Sequence, residues 1–266
     1  MNLNELFFEF SNEHRYEVFK SLLKGNKRHS DLKRELNLPA SEISRHLKRL
    51  SKKTLVSKDI DNRYGITNIG TIFFRVFNIF EVSLKHKGFF NSHDIAVIPL
   101  HLILQLGELK TLELSDKTME NIELWADMVK NTDEFIYAVT NQYQSSLFPI
   151  VEEKNVKIKA VIEKKLYKEF IRSYNNPGNW SNKFQDLMSF IDRIKIRTLE
   201  QIEFSLLVSD KGAILFLTKD GKIDYSECLI DNHPSFIKWA IELFDCYWQK
   251  GRNLKQFTRK EKIGGK

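Results

Sequence analysis

Three residues, Asn37, Leu38 and Pro39, separate two helical patterns and constrain this chain more than any other stretch. Pro39 has no amide proton to give a helix and biases Leu38 away from helical backbone. The helix predicted over residues 30–36 therefore ends there. Ser30 is its expected N-cap, and Leu32 and Leu36 form its buried side. A second helix is predicted over residues 40–53, with Ile43, Leu47 and Leu50 recurring as one apolar face. Ser41, Arg45, Lys48 and Lys52 lie opposite that face, with Arg49 close by and Ser44 at its flank. A packed helix whose free face carries hydroxyls and cations suits a DNA major groove. Arginine can donate two hydrogen bonds to one guanine edge, and serine or lysine can reach phosphates. The plain alternative is a solvated charged helix in an ordinary helical domain.

The next residues narrow the choice. Leu55, Val56, Ser57 and Lys58 suit a strand, Arg63 to Ile66 suit its return, and Asp59 to Asn62 supply turn chemistry between them. Lys58 and Arg63 then sit on a hairpin where cations meet phosphate or enter a minor groove. Thr67 is the expected cap of a helix starting near Ile69. The ordered pieces SEISRHLKRL, LVSK and YGITNIG resemble the winged helix-turn-helix of ArsR-like transcription regulators, over about residues 11–87. The resemblance implies DNA reading by Ser41, Ser44, Arg45, Lys48 and Arg49. Phosphate contacts are expected from Lys52, Lys58 and Arg63.

The helix before the turn holds no cysteine, so the cysteine cluster of metal-sensing relatives is missing. His14 has no Cys or Asp at helical spacing. Neither a metal nor a cofactor is expected.

Charge supports a division of labour. Residues 1–87 hold 17 basic and 10 acidic side chains, residues 88–249 hold 18 and 24, and residues 250–266 hold 7 and 1. A basic first domain fits a polyanion, because neutralising phosphates releases counterions; the acidic middle does not. Cys228 and Cys246 are too few for a disulfide framework and form no CxxC motif. Glu5 and Glu9 argue against a signal peptide, and the apolar run at 95–106 is broken by Pro99 and His101. A cytoplasmic protein without membrane residence is the expectation.

Leu3 to Phe10 reads as a short amphipathic segment, and a helix from about Asn12 carries Tyr16, Phe19, Leu22 and Leu23 before Gly25. The helix over residues 69–87 is apolar on more than one face and calls for burial by the second domain or a twin subunit. A homodimer is favoured, because two-fold dimers match pseudo-palindromic sites. Residues 88–115 read as a connector with structure of its own, including a short apolar helix after Pro99. Phe89, Phe90, His93, Asp94, Ile98, Pro99, Gly107, Leu109, Trp239, Leu243 and Phe244 are similar to the second domain of archaeal winged-helix regulators. The group in question is named for the methanogenesis regulatory protein.

From residue 116 helical and strand patterns alternate. Helices are expected at 117–130 (with Ile122, Trp125, Ala126 and Val129 on one side), 142–153, 164–173, 181–191 and 233–250. Strands are expected at 134–139, 156–162, 194–199, 203–208 and 213–218, with NNPG at 175–178 a turn and Asp210-Lys211-Gly212 closing a hairpin. The fold expected is an α+β winged helix-turn-helix over 1–87 followed, over 116–250, by an α/β domain with a mixed sheet covered by helices.

The resemblance implies a phospholipase D-like domain. The HxK pair of its enzymes finds a match in His46 and Lys48, but Lys53 stands where their aspartate would be, so the catalytic pattern is missing. No P-loop, GxGxxG, HExxH or GxSxG occurs. The second domain is then a sensor or dimerisation unit. A small-molecule effector of unknown identity is sought first at strand ends such as Thr140 and Asn141. Trp180 and Trp239 read as core or interface, and residues 251–266 as a basic, disordered tail.

The reading is a sequence-specific regulator with double-stranded DNA as partner. An enzyme with a catalytic second domain, or a protein-interaction module using the helix-turn-helix, are the alternatives.

Overall fold

A computed structural model describes residues 2–142, 156–168 and 195–253. The chain divides into two compact units, Met1–Asn78 and Ile79–Lys266. Residues 143–153 and 181–191 of the expected helices, the second half of that at 164–173, the turn at 175–178, Trp180 and the tail beyond residue 253 lie outside the described residues, whereas 164–168 are helical as expected.

The first unit runs α1 (Leu3–Phe10), α2 (Glu13–Leu22), β1 (Lys27–Arg28), α3 (His29–Leu36), α4 (Ala40–Lys52), β2 (Val56–Lys58), β3 (Arg63–Ile66) and the first part of α5 (Asn68–Lys85). Between α3 and α4, Asn37 takes left-handed backbone at φ 51° and Pro39 is extended, which turns the chain in three residues. Helix α3 starts one residue before the expected cap. Pairing of β1 with β3 holds Arg28 extended, and the Arg28 amide donates to Asp31 Oδ2 at 3.0 Å, so Ser30 falls inside the first turn. The three strands form an antiparallel sheet in the order β1-β3-β2. Leu6, Val18, Phe19, Leu22, Leu32, Ile43, Leu47, Leu50, Leu55 and Val56 make the core. Thr67 caps α5 as expected: its hydroxyl accepts the Gly70 amide at 3.1 Å and donates to Thr54 O at 2.6 Å.

The second unit begins within α5, not after its end. It continues with α6 (Lys87–Ser92), α7 (Leu100–Ile103), β4 (Glu113–Ser115), α8 (Thr118–Asn131), β5 (Phe135–Thr140), β6 (Lys157–Glu163) and β7 (Lys195–Leu199). Then come β8 (Phe204–Ser209), β9 (Gly212–Lys219), β10 (Lys222–Ile223), β11 (Cys228–Asp231), a last helix, here α9 (Pro234–Lys250), and β12 (Arg252–Asn253). The sheet is mixed. Strands β5, β6 and β7 are parallel, and the remaining pairs are antiparallel, in the order β12-β7-β6-β5-β8-β9-β11-β4 with β10 on β9.

Strands β8 and β9 are buried almost throughout because helices cover both sheet faces. Phe236, Trp239, Ala240, Leu243 and Phe244 of α9 pack on one face, and Leu124, Trp125 and Met128 of α8 on the other. Ile122 is exposed, contrary to its expected burial, and Asn121 takes the buried position. The Asn121 side chain donates to Ser226 O at 3.0 Å and Tyr225 O at 3.3 Å, which compensates its desolvation.

Residues 88–115 belong to this unit, and the short helix expected after Pro99 is α7. Phe89, Ile98 and Leu109 join Trp239, Leu243 and Phe244 in one core, Trp239 Nε1 donates to Leu102 O at 2.9 Å, and β4 adds an edge strand. The expected tail likewise begins as structure, because Arg252 and Asn253 pair with β7 backbone.

Candidate nucleic-acid interface

Helix α4 buries Ile43, His46, Leu47 and Leu50. Ser41, Ser44, Arg45, Lys48 and Lys52 stand exposed. Lys48 and Lys52 make no ion pair among the described residues. Arg45 reaches Glu42 Oε1 at 3.6 Å across an exposed surface, a weak tie. Ser44 Oγ is 2.9 Å from His29 Nε2, which also lies 3.0 Å from Ala40 O. His29 thereby fastens the start of α4 to α3.

Arg49 does not share this free face. Its guanidinium grips buried Glu9 through two bonds, Nε to Oε2 at 2.8 Å and a terminal nitrogen to Oε1 at 2.7 Å. Arg15 donates to the same carboxylate at 2.6 Å and to Glu9 O at 2.7 Å. The hydrogen bond from Arg49, reinforced by both charges, outweighs burial and holds the Glu9 carboxyl below the usual range. Expected as a groove reader, Arg49 instead clamps α1 to α4, because a nearly buried carboxylate needs cations.

The hairpin is ordered by Asp59, whose Oδ1 accepts the amides of Asp61 at 3.0 Å and Arg63 at 2.8 Å. Asn62 takes the left-handed position of the turn, and Ile60 at the tip is 98% exposed. Lys58 Nζ lies 5.6 Å from the Tyr64 ring centroid. Strand β1 adds a residue that sequence reasoning missed. Arg28 is the direct cross-strand partner of Arg63, and both are exposed. Like charges facing one another on a sheet repel unless an anion lies between or over them. The only sequence signal was the basic run Lys27-Arg28 ahead of α3.

His46 and Lys48 do not converge: the His46 side chain is fully buried and Lys48 is exposed. Instead His46 Nε2 is 3.3 Å and His14 Nδ1 2.9 Å from Glu42 Oε1, a cluster with metal-ligand chemistry. The sequence hid it because His14 is on α2 and the other two are on α4.

In the second unit a cavity of about 800 Å³ opens where the parallel strands end. Asn141 follows β5, Glu163 ends β6 and Glu200 follows β7; Asp94, Glu203, Asp220 and Tyr225 complete much of the wall. Asn141 was expected there, and its Oδ1 accepts the Tyr225 hydroxyl at 2.9 Å. Thr140 makes no part of the wall; its hydroxyl accepts the Gln142 amide at 3.1 Å. Among the described residues no helix is long and apolar enough to cross a membrane.

Residues 4–80 match the N-terminal domain and residues 113–250 the middle domain of a methanogenesis regulatory protein, which places the chain in the class of regulatory proteins. It belongs to the FilR1 family of methanogenesis regulatory proteins. Among solved structures, TrmBL2, an archaeal chromatin protein, is 15% identical, covering 91% of this chain and 94% of that one, with a TM-score of 0.42. NucT from Helicobacter pylori is 7% identical, covering 54% of this chain and 99% of that one, with a TM-score of 0.37. Nuc from Salmonella typhimurium, a phospholipase D family member, is 16% identical, covering 53% and 96%, with a TM-score of 0.36. No curated protein matches the chain.

Proposed function

We propose that the chain is a sequence-specific, DNA-binding transcription regulator and not an enzyme, acting in the cytoplasm. The first unit is read as a winged helix-turn-helix of ArsR type, with α3 and α4 as the helix pair and the β2–β3 hairpin as the wing. One observation carries this reading: α4 presents Ser41, Arg45, Lys48 and Lys52 to solvent on the side opposite its buried residues. Such a face is what a major-groove helix requires. Arg45 and Lys48, with Ser41 and Ser44, are assigned to base edges and nearby phosphates. Lys52, Lys58, Arg63 and Arg28 are assigned to phosphate. Arg49 is assigned to holding the domain together.

The second unit is the sensor or dimerisation part. Its cavity at the ends of β5, β6 and β7 is the natural place for an effector, by the general rule for open α/β sheets. A homodimer is favoured by the apolar surface of the first unit, where Ile69, Ile72 and Val76 on α5 and Leu3, Phe7 and Phe8 on α1 stay exposed.

Selection of bound sequences from random duplex DNA at two salt concentrations tests the proposal. An enriched inverted repeat is the expected outcome. Salt-sensitive binding without any motif would reduce the protein to a non-specific binder, and no binding at low salt would overturn the reading. Arg45→Ala should flatten the motif, whereas Lys52→Ala should weaken all sequences alike and lower the salt slope by about one unit.

A further inference from the structure

We infer that His14, Glu42 and His46 form a binding site for a divalent transition metal, zinc being the best match, between α2 and the first turns of α4. One ligand atom from each residue lies within 4.8 Å of the other two. Two imidazoles and one carboxylate are a ligand set that zinc accepts, with water in the fourth place. Bonds of 2.0–2.1 Å in a tetrahedron put neighbouring ligand atoms about 3.3 Å apart. His46 Nε2 stands 3.3 Å and His14 Nδ1 2.9 Å from Glu42 Oε1, so both edges that meet at the carboxylate are within about half an ångström of that spacing.

Chemistry and rigidity favour the same conclusion. Each imidazole binds a metal through the lone pair of a ring nitrogen, and the carboxylate adds the negative charge that a divalent ion requires. Glu42 and His46 are four residues apart on one helix and so share a face. The His46 ring is fully buried and cannot swing away, whereas His14 is half exposed and leaves an entry path. The competing cations are Arg45, whose guanidinium is 3.6 Å from Glu42 Oε1, and Arg15, whose charge also acts on His46. Zinc would displace Arg45 from Glu42. That release matters for operator binding only if Arg45 reads DNA as proposed; the metal site itself does not rest on that reading.

The test is calorimetric titration of zinc into the full chain, without DNA. One equivalent bound per chain is expected. His14→Ala and Glu42→Gln should each weaken binding on the order of a hundredfold, whereas His101→Ala, at an exposed histidine elsewhere, should change nothing. Melting curves without zinc confirm that the variants are folded. Cobalt as a substitute should give the visible bands of a four-coordinate site without a thiolate charge-transfer band, which separates this site from Cys228 and Cys246. A wild-type chain that binds no zinc, a folded His14→Ala or Glu42→Gln variant that binds it as tightly as wild type, or a thiolate band would each overturn the inference.

Discussion

Glu9 and Arg49 meet as a two-pronged ion pair, with N–O distances of 2.8 and 2.7 Å, and join the first helix to the helix assigned to DNA. The carboxylate is nearly buried and is shared with Arg15, so its removal strands two cations. Glu9→Gln should destabilise the first unit by about 3 kcal/mol. Arg49→Ala should lower its melting temperature, whereas Lys48→Ala should lower DNA affinity and leave melting unchanged. Thermal denaturation beside a binding assay separates the two; equal melting for Arg49→Ala and wild type would refute the clamp.

The same pair sets an acid limit. The folded Glu9 pKa is depressed, chiefly by the hydrogen bond from Arg49. Its stabilisation is therefore fully present above the unfolded value of about 4.3, and it is lost as pH falls from there through the lower folded value. Denaturant midpoints measured between neutral pH and that region should fall in wild type and fall less steeply in Glu9→Gln.

Arg28 and Arg63 oppose one another on adjacent strands. Replacing either by alanine should leave the melting temperature of the DNA-free protein equal to or slightly above wild type, since a repulsion is relieved. The same change should lower the salt slope of DNA binding by about one unit. A slope that stays constant in both variants would remove the wing from the interface.

Gly70 has no room for a side chain. A Cβ there would stand 2.4 Å from Leu55 O and 2.8 Å from Ile66 Cγ2. Gly70→Ala should cost about 2 kcal/mol, because the clash is partly with backbone. Chemical denaturation reads it directly, and an unchanged midpoint would show that α5 can shift.

Asp210, in the β8–β9 hairpin, accepts the Thr132 hydroxyl at 2.5 Å and the Glu134 and Asp133 amides at 3.1 and 3.2 Å. Burial opposes ionisation, yet these bonds and Lys211 hold the carboxyl far below its ordinary value. Asp210→Ala should destabilise the second unit by about 2 kcal/mol. The first unit should melt as before.

What sequence could reveal follows from distance along the chain. The apolar face of α4 repeats within one helix, so Ile43, Leu47 and Leu50 were readable as a core stripe, and so were the exposed residues opposite. Asp59 and Thr67 act within four residues of their partner amides, and the turn and cap were legible. Strand β1 has two residues, too few for any period, so Arg28 went unnoticed. Arg49 lies 40 positions from Glu9, and His14 28 positions from Glu42. No local rule tells a cation facing DNA from one facing a buried carboxylate. No periodicity links the residues from Phe89 to Leu109 with Trp239, Leu243 and Phe244, far down the chain; only the resemblance grouped them, and the structure joins Phe89, Ile98 and Leu109 to α9 in one core.

Strand β4 pairs with β11, Leu114 against Leu229, and Asn121 bonds to Ser226, 105 positions away. The cost of closing such a loop precedes the gain from the contacts it makes, and it slows assembly. The first unit has no comparable requirement. During synthesis it can collapse as soon as its own residues are free, whereas the mixed sheet must wait for its last strands. Refolding should therefore show a fast phase from the first unit and a slow one from the second, and the edge of β9 that awaits β11 is where an unfinished chain is most open to pairing with a neighbour.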